Sequence, residues 1–297
     1  MGDERRRNPR PGLVLDVDRS TPPVLFHHGE GFRLEKLPAG RSRILYPPEP
    51  LPGLNNPDRH IRDALENPLG DSPPLSALLT PGMKLTIAFD DISLPLPPMR
   101  APDIRQRVIE AVLDLAAQQG VDDVHIIAAL ALHRRMTESE LRHAVGDRVY
   151  DAFAPSGHLY NHDAEDPEGM TIIGTTPHGE DVQMNRRAAE SDLIVYVNIN
   201  LVAMDGGWKS TATGLSGYTA LRHHHNPTTM VQSRSFMDQD NSELHKSNWR
   251  QGKVLRDSGI QIFQIETTVN NNTFGHDGPL AMMQKREWEW TLADRAA

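Results

Sequence analysis

The sequence has 297 residues, of which 40 are acidic and 31 basic, so its formal net charge is −9. That charge argues against a nucleic-acid partner and against an acidic membrane surface, because either would favour a basic protein. The chain contains no cysteine, which excludes disulfides, thiolate metal sites and cysteine nucleophiles. No apolar run is as long as a membrane span and the charged start lacks the apolar core of a secretory signal, so we expect a cytoplasmic protein with no membrane partner.

The first residues differ in character from the rest of the chain. Residues 1–12 are charged and contain prolines, without hydrophobic periodicity, and we expect a disordered tail there. Residues 13–297 are predicted to form one domain. Between residues 13 and 45, short apolar pieces interrupted by proline and glycine are typical of short strands and turns. Helical spacing of Ile61 and Leu65 then predicts a short helix over Asp58–Leu65.

A buried strand is predicted over Lys84–Asp90, where the apolar run KLTIAFD ends in an acidic residue that Asp91 follows. A helix comes next, because apolar residues recur at helical spacing after Pro102. We predict Pro102 as its first residue and Gly120 at its C-terminal end, the positions that these two residue types favour. The two acidic residues therefore lie where a strand ends and a loop begins.

A second strand is predicted over Val124–Leu130, and His133 and Arg134 follow it directly. Strand, helix and strand form a right-handed parallel unit, in which ligands bind beyond the carboxyl ends of the strands. The capping-box pattern from Thr137 to Glu140 predicts the start of the next helix. His133 thus lies on a loop where catalytic groups are common, although from this position alone local capping or packing is the favoured interpretation.

The third strong strand, Leu193–Leu201, leads into the stretch DGGWKSTATGLSGYTALRHHH, which begins at Asp205. Its paired glycines, Gly206 and Gly207, allow the backbone to come close to a ligand. Lys209 could clamp a phosphate or form a covalent link to a cofactor. The three histidines that end the stretch offer imidazoles, which are common metal ligands. The alternative interpretation is a glycine turn, a surface lysine and a solvated polar run.

These strands predict an α/β fold with a parallel-rich sheet and flanking helices. The carboxyl ends of parallel strands meet at one edge, so the groups after the three strands should face a common cleft. We therefore expect Asp90, Asp91, His133 and Lys209 to lie close together.

Several of these stretches, taken in order, resemble the N-terminal domain of the lactate racemase family, whose members carry the nickel-pincer nucleotide cofactor. KLTIAFDDISLPLP is similar to the approach to the family signature D-x-T-R-P-x-P, and ALHRRMTESEL is similar to T-H-R-x-M-T-x-x-E-L. DGGWKSTATGLSGYTALRHHH resembles the S-G-G-x-K loop and the histidine that follows it. The resemblance covers roughly Asp58 to Pro227. It implies a lactate racemase-like N-terminal domain.

The resemblance also implies how the cofactor is held. Lys209 matches the lysine that binds the pyridinium-3-thioamide-5-thiocarboxylic acid mononucleotide covalently, and His225, 16 residues later, matches the nickel ligand. An imidazole that completes a square-planar site of sulfur and carbon donors suits nickel. The glycines beside Lys209 would give the nucleotide phosphate access to backbone N–H groups, and Asp90 and Asp91 are expected to bind the cofactor with them.

The activity that the resemblance implies is the racemisation or epimerisation of a 2-hydroxy acid by reversible hydride transfer. His133 matches one of the two acid/base histidines of the family, and Arg134 matches a residue that holds substrate or cofactor charge. A neutral imidazole with a pKa near 7 suits a group that both takes and gives the proton. The implied partners are a small hydroxy acid and the enzymes that synthesise the cofactor.

The sequence departs from the family pattern at three positions. Ile199 stands where the second acid/base histidine is expected, Leu94 where the carboxylate-binding arginine is expected, and Asp205 where the family has serine. We therefore expect a substrate other than lactate, with His162, His223 or His224 as a reserve proton carrier. The family's C-terminal domain is expected to be missing from residues 13–297 or to be supplied by a partner chain.

Two alternatives remain open from the residues. The first is a non-catalytic or partner-dependent cofactor-binding subunit of the same family. The second is an ordinary metal hydrolase built on His223, His224 and His225, which is less favoured because three adjacent histidines cannot easily face one ion.

Overall fold

The structure is a computed structural model that describes residues 13–29, 31–46, 51–92, 99–269 and 281–297. The predicted tail over residues 1–12 and the position of Leu94 lie outside these residues. In chain order, the strands are β1 (Leu13–Asp16), β2 (Val24–His28), β3 (Gly31–Glu35), β4 (Arg43–Tyr46), β5 (Lys84–Asp90), β6 (Asp123–Ala129), β7 (Leu159–Asn161), β8 (Met170–Thr175), β9 (Asp181–Asn185), β10 (Leu193–Asn200) and β11 (Ile262–Thr268).

The α-helices connect and flank these strands. They are α1 (Pro57–Glu66), α2 (Leu75–Leu78), α3 (Ile104–Gln118), α4 (Glu138–Val145), α5 (Asp147–Phe153), α6 (Arg186–Ala189), α7 (Trp208–Gly214), α8 (Tyr218–Leu221), α9 (Pro227–Gln232), α10 (Glu243–Asp257) and α11 (Leu292–Ala296). Within the described ranges, no helix is both long and apolar enough to cross a membrane.

The chain divides into two compact units. The smaller unit comprises the described residues of Met1–Leu54 and Asn270–Ala297. In it, β1 pairs antiparallel with β4 and β2 pairs antiparallel with β3. Glu287 joins its two chain segments, because its carboxylate accepts hydrogen bonds from the Leu25 N–H at 3.0 Å and the Tyr46 hydroxyl at 2.8 Å.

The larger unit, Asn55–Val269, contains a five-stranded sheet in the order β11-β10-β5-β6-β7. Every neighbouring pair in this sheet is parallel. The predicted α/β class with a parallel-rich sheet and flanking helices is therefore confirmed. The three predicted strands are β5, β6 and β10, and they lie side by side with β5 between the other two.

The sheet is buried on both faces, which explains why the sequences of its central strands are continuous apolar runs. Leu85, Ile87 and Phe89 of β5 belong to one core cluster, into which α3 also packs. Ala88 of the same strand belongs to a second cluster, which includes Tyr196 of β10. Successive side chains of a strand point to opposite faces, so one strand contributes to both layers.

The predicted start of the helix after β5 is wrong by two residues, because α3 begins at Ile104 and not at Pro102. Asp103 is the N-cap, since its carboxylate accepts a hydrogen bond from the Arg105 N–H at 2.8 Å. The same carboxylate forms a buried ion pair with the Arg105 side chain, 2.8 Å between Nη2 and Oδ2. The predicted C-terminal position of Gly120 is confirmed, with a φ of 73° just past the helix end.

One further local prediction is confirmed. The capping box at the start of α4 is present, with Thr137 and Glu140 each bonded to the other's backbone N–H. β8 and β9 pair antiparallel as a hairpin. By contrast, α10 is absent from the sequence prediction, because its buried face is largely polar and includes His245, Ser247, Asn248 and Gln251.

The packing of β5 yields a stability prediction. Ile87→Ala should lower the free energy of unfolding by about 2–5 kcal/mol, because Ile87 is fully buried at the centre of the sheet and its loss leaves a cavity. Urea unfolding followed by circular dichroism measures this. Ile172→Ala is the matched control and should cost less than about 1 kcal/mol, since Ile172 is 57% exposed on β8. Equal losses for the two variants would contradict the assigned core.

Candidate active site

Polar side chains from three strand ends meet at one edge of the five-stranded sheet. Asp91 follows β5, His133 follows β6, and Lys209 lies in α7, shortly after β10. The positive charge of Lys209 acts on His133, Asp90 and His225. These groups therefore lie within electrostatic reach of one another, as the sheet topology predicts.

Asp91 and His133 form the closest pair at this edge. Nδ1 of His133 lies 2.9 Å from Oδ2 of Asp91, and the Asp91 side chain is only 9% exposed, whereas that of His133 is 50% exposed. The hydrogen bond to Asp91 raises the pKa of His133, with partial burial acting in the opposite direction. The bond engages Nδ1 and leaves Nε2 as the ring nitrogen that can exchange a proton with a ligand.

Asp90 connects the end of β5 to β10. Its Oδ2 accepts a hydrogen bond from the Ile199 N–H at 2.7 Å, and its Oδ1 accepts one from the Tyr196 hydroxyl at 3.0 Å. Burial raises the pKa of Asp90 to about 6, although both hydrogen bonds and the charge of Lys209 oppose the shift. Both carboxylate oxygens are engaged within the protein, so Asp90 supports the site through β10.

The glycine pair forms a turn with positive φ angles, 85° at Gly206 and 60° at Gly207. A Cβ on Gly206 would lie 2.7 Å from both Oδ1 of Asn200 and Oε2 of Glu266, so this position needs glycine for space as well as for conformation. A Cβ on Gly207 would meet nothing within 4 Å. The turn is therefore closed on one side by Asn200 and Glu266 and open at Gly207.

Glu266 of β11 is a site residue that the sequence analysis missed. Its Oε1 accepts a hydrogen bond from the Gly207 N–H at 2.9 Å, and its Oε2 accepts from the side-chain amides of Asn198 at 2.7 Å and Asn200 at 2.8 Å. The Gly207 N–H was expected to bind a nucleotide phosphate, but in the structure it donates its hydrogen bond to this carboxylate. The only signal in the sequence was an acidic residue inside an apolar segment.

Lys209 is held by Asp205, the residue that replaces the family serine. Nζ of Lys209 lies 2.9 Å from Oδ1 of Asp205. The other oxygen of Asp205 accepts hydrogen bonds from the backbone N–H groups of Leu201 and Val202, at 3.0 and 3.1 Å. Asp205 thus fixes the loop after β10 and orients the lysine at the same time.

The three adjacent histidines have different environments. His225 is exposed at the edge of the site, yet the surrounding protein and the positive charges of His133 and Lys209 lower its pKa. His224 is buried, which lowers its pKa to about 3. His223 instead approaches Asp181, at 3.8 Å. Only His225 therefore faces the site with an imidazole that is neutral at pH 7.

The other proposed proton carrier, His162, is also engaged within the protein. Its Nε2 lies 2.9 Å from the Ser216 carbonyl, and its Nδ1 accepts from the Asn185 amide at 3.3 Å. Burial lowers the pKa of His162. Across the described ranges, no group of three or more His, Asp or Glu residues is arranged to hold a metal ion. The histidine run offers no three-ligand metal centre of the kind that a hydrolase would use.

Two positions bear on substrate binding. Arg134 is 62% exposed and forms a bidentate pair with Glu140, at 2.9 and 2.7 Å, so its guanidinium is committed to the start of α4. Ile199 is 7% exposed and its N–H is bonded to Asp90. The side chain at this position is therefore a packed hydrophobic residue and not a proton carrier.

Residues 28–238 match the family model of the lactate racemase N-terminal domain. The chain belongs to the lactate racemase family. The matched region contains Lys209 and His225 and ends before α10 and β11. The lactate racemase of Thermoanaerobacterium thermosaccharolyticum is 24% identical over 212 residues, which are 64% of this chain and 46% of that protein. The lactate racemase of Lactiplantibacillus plantarum is 27% identical over 169 residues, 56% of this chain and 37% of that protein.

This family member spans less than half the length of those two curated relatives. Its fold is similar to the lactate racemase apoprotein of Thermoanaerobacterium thermosaccharolyticum, with a TM-score of 0.62 and 20% identity over 84% of this chain and 57% of that one. It is also similar to a protein of Thermotoga maritima, with a TM-score of 0.53 and 17% identity over 71% of this chain and 51% of that one.

The Asp91–His133 pair predicts a pH effect in this lactate racemase family member. Asp91→Asn should lower the pKa of His133, which NMR titration of the imidazole measures. Because the pKa of folded His133 lies above its ordinary value of 6.5, the pair stabilises the fold below that pH and loses its contribution as pH rises through the folded pKa. Asp163→Asn, which removes the partner of Arg135, is the control and should leave His133 unchanged. An unaltered His133 titration in Asp91→Asn would refute the pairing.

The glycine turn predicts a difference between two alanine substitutions. Gly179→Ala should cost about 1–2 kcal/mol of unfolding free energy, because φ is 74° but a Cβ meets nothing within 4 Å. Gly206→Ala combines a similar strain, φ of 85°, with contacts of 2.7 Å to Asn200 and Glu266. Its loss should be larger by about 1–3 kcal/mol, the usual cost of overpacking. Urea unfolding of both variants tests this. Equal losses of unfolding free energy would show that Asn200 and Glu266 can move away from a Cβ at position 206 without cost.

Proposed function

We propose that this chain carries the nickel-pincer nucleotide on Lys209 and His225 and acts as a racemase or epimerase of 2-hydroxy acids. The observation that supports this most directly is the convergence of Lys209, His133 and His225 at one sheet edge, close enough that their charges act on one another. Both cofactor positions lie inside the region that matches the family. The proposed reaction thus uses groups that are already assembled.

The residues at the end of β10 fit this cofactor in two respects. A lysine and one neutral imidazole face the same edge, and a single imidazole is the protein ligand needed when the cofactor supplies the other donors. The space around Gly207 is also open to a bulky group, since a Cβ there would meet nothing within 4 Å. Lys209 would hold the cofactor covalently and His225 would bind its nickel.

The cofactor, when bound, would accept a hydride from C2 of the substrate and return it. The proton of the substrate hydroxyl would go to His133, whose Nε2 is free for that exchange while Nδ1 is bonded to Asp91. The Asp91 carboxylate would stabilise the imidazolium that forms, because a charge-assisted hydrogen bond is stronger than a neutral one. His133 would then return the proton to the product.

The substrate of the proposed reaction should differ from lactate. Ile199 places a buried hydrophobic side chain at the second acid/base position, and Arg134 is paired with Glu140. A site built for a small carboxylate would keep a free cation for it. We therefore propose a 2-hydroxy acid, or a sugar acid, that is held by groups other than these two.

One observation favours a second candidate function. Ile199 cannot move a proton, so the described site offers His133 alone for proton transfer. A chain that holds the cofactor but needs a partner chain for turnover would have this set of side chains at its site. Such a subunit would load the cofactor normally and would leave the configuration of its hydroxy acids unchanged.

Cofactor loading is tested by co-expression with the cofactor-synthesis enzymes. The intact mass should increase by that of one cofactor, peptide mapping should place the adduct on Lys209, and nickel should be present at about one ion per adduct. Lys209→Arg keeps the charge but removes the amine nucleophile, and it should carry no adduct. An unmodified Lys209 in the co-expressed wild-type chain would refute the proposal.

Turnover is tested separately on the loaded protein. Chiral chromatography of a panel of 2-hydroxy acids should show conversion of one enantiomer or epimer into the other. His133→Asn should keep the adduct and lower kcat by about 10²–10⁴-fold, the usual contribution of a general acid/base. Full loading without conversion of any acid would instead support the partner-dependent subunit.

A further inference from the structure

Ala131 lies in the loop after β6 and has a backbone conformation that alanine rarely adopts. Its φ is 51°, and Asn56 is the only other non-glycine residue with a positive φ in the described part of the chain. Asn56 is an N-cap whose side chain accepts from the Arg59 N–H, and asparagine tolerates this conformation. Ala131 has no polar side chain to offset the close approach of its Cβ to the following carbonyl. Such a conformation persists only where the surrounding structure imposes it.

Ala131 occupies the second position of the tight turn that leads to His133. The His133 N–H donates a hydrogen bond to the Leu130 carbonyl at 2.8 Å, which closes a β-turn with Ala131 and Leu132 at its centre. Of these two central residues only Ala131 has a positive φ, which is the pattern of a type II′ turn. Glycine is the usual residue at that position. The Cβ of Ala131 therefore makes this turn less favourable than a glycine would.

A hydrogen bond to another element fixes the start of this turn. The Ala131 N–H donates to the Gly214 carbonyl at 3.0 Å. Gly214 is the last residue of α7, and the last carbonyls of a helix have no partner within the helix, so the bond satisfies one of them. The loop that carries His133 is thus bonded to the helix that carries Lys209.

The position of the Gly214 carbonyl is itself tightly determined. A Cβ on Gly214 would lie 2.5 Å from Oη of Tyr196 and 3.1 Å from Cβ of Ala129, so the backbone of α7 lies directly against β10 and β6. The Tyr196 hydroxyl donates to Asp90 at 3.0 Å and is held there. Only a residue without a side chain allows this close approach. The acceptor for the Ala131 N–H is therefore fixed on the sheet.

The rotation at Ala131 connects this anchor to His133. The angle φ describes rotation about the N–Cα bond, so it leaves the N–H of Ala131 in place and changes the direction of the chain that follows. With the N–H bonded to Gly214, a positive φ directs the chain so that Nδ1 of His133 lies 2.9 Å from Oδ2 of Asp91. A negative φ would keep the anchor and direct His133 elsewhere.

We propose that Ala131 is a positioning residue for the proposed reaction. Its left-handed conformation, anchored on Gly214, aims His133 at Asp91 and fixes this proton carrier relative to the helix that holds Lys209. The role in turnover rests on the proposed function. The aim of His133 does not, because it is a property of the cofactor-free chain. The alternative is a tight turn without influence on His133, and substitutions within the turn distinguish the two.

The first test is an NMR measurement on the full chain without cofactor. A positive φ shortens the distance between the N–H and the Hα of one residue, so Ala131 should give a strong nuclear Overhauser effect between these two hydrogens. Its N–H should also exchange slowly with solvent, because it is bonded to Gly214 at a buried position. A weak effect or rapid exchange at Ala131 in the wild-type chain would overturn the proposal, whatever the variants do.

Substitutions of Ala131 test its influence on His133, whose pKa NMR titration measures. Ala131→Gly keeps the N–H and accepts a positive φ, so His133 should retain its raised pKa. Ala131→Val also keeps the N–H, but its β-branched side chain disfavours a positive φ. In this variant the hydrogen bond to Asp91 should be lost, and the pKa of His133 should fall towards its ordinary value of 6.5. His133→Asn identifies the His133 resonances by their loss.

Leu132→Val is the matched control, because it places the same side chain in the same turn at a residue that is 45% exposed and has no positive φ. It should leave the pKa of His133 unchanged. A wild-type pKa in a folded Ala131→Val, or a lowered pKa in Ala131→Gly, would contradict the proposal. If Ala131→Val does not fold, Gly214→Ala replaces it, since its Cβ displaces the carbonyl that holds Ala131. An unchanged pKa of His133 in that variant would contradict the anchor.

A second measurement uses the chain loaded by co-expression. Ala131→Val should keep the Lys209 adduct and lower kcat about 100-fold with little change in KM, the loss expected when a catalytic group is misplaced by about 1 Å. Leu132→Val should keep both the adduct and kcat. A wild-type kcat in loaded Ala131→Val would refute the role of Ala131 in turnover. If the loaded wild-type chain converts no acid, the proposed function fails, and the NMR results still decide whether Ala131 aims His133.

Discussion

The hydrogen bonds of Asp90 are the interaction on which the rest of the site depends. One carboxylate at the end of β5 accepts from the Ile199 N–H and the Tyr196 hydroxyl, so the end of β10 is fixed against the central strand. The chain then leaves β10 at a defined point and delivers Lys209 beside the Asp91–His133 pair. A buried carboxylate with two donors is costly to form, as its raised pKa of about 6 indicates. Its position explains why a polar group is tolerated there: it joins two strands whose loops carry different parts of the site.

The loop after β10 is supported from three directions. Asp205 binds both the loop backbone and the Lys209 amine, Glu266 binds the Gly207 N–H from β11, and His224 binds the ring of His225 from within the protein. Residues of this kind determine the geometry of a site without contacting a substrate. The two proposed cofactor residues, Lys209 and His225, are thus held in position by hydrogen bonds with Asp205 and with the buried His224. The substrate side has less of this support, since Arg134 is committed to Glu140 and Ile199 is packed.

Much of the fold was predictable because its signals are local. The apolar runs of β5, β6 and β10 identify strands buried on both faces, and the capping box identifies the start of α4. The meeting of Asp91, His133 and Lys209 followed from strand topology alone. Three features were not predictable from local patterns. The helix α3 begins at Ile104 and not at the predicted Pro102, because Asp103 caps it through the Arg105 N–H. α10 lacks an apolar stripe because its buried face is largely polar, and Glu266 accepts a hydrogen bond from Gly207, which is 59 residues away in the sequence. The distinct roles of His223, His224 and His225 likewise depend on tertiary burial, which the sequence HHH does not encode.

The central claim is that Lys209 and His225 hold one nickel-containing group at the edge of the sheet. Anomalous diffraction at the nickel absorption edge, from crystals of the chain co-expressed with the cofactor-synthesis enzymes, tests it most directly. The account predicts one nickel peak at about 2 Å from Nε2 of His225, the usual metal–imidazole distance, with continuous electron density to Nζ of Lys209. A nickel peak bound elsewhere, or an unmodified Lys209 still paired with Asp205 in the loaded protein, would contradict it.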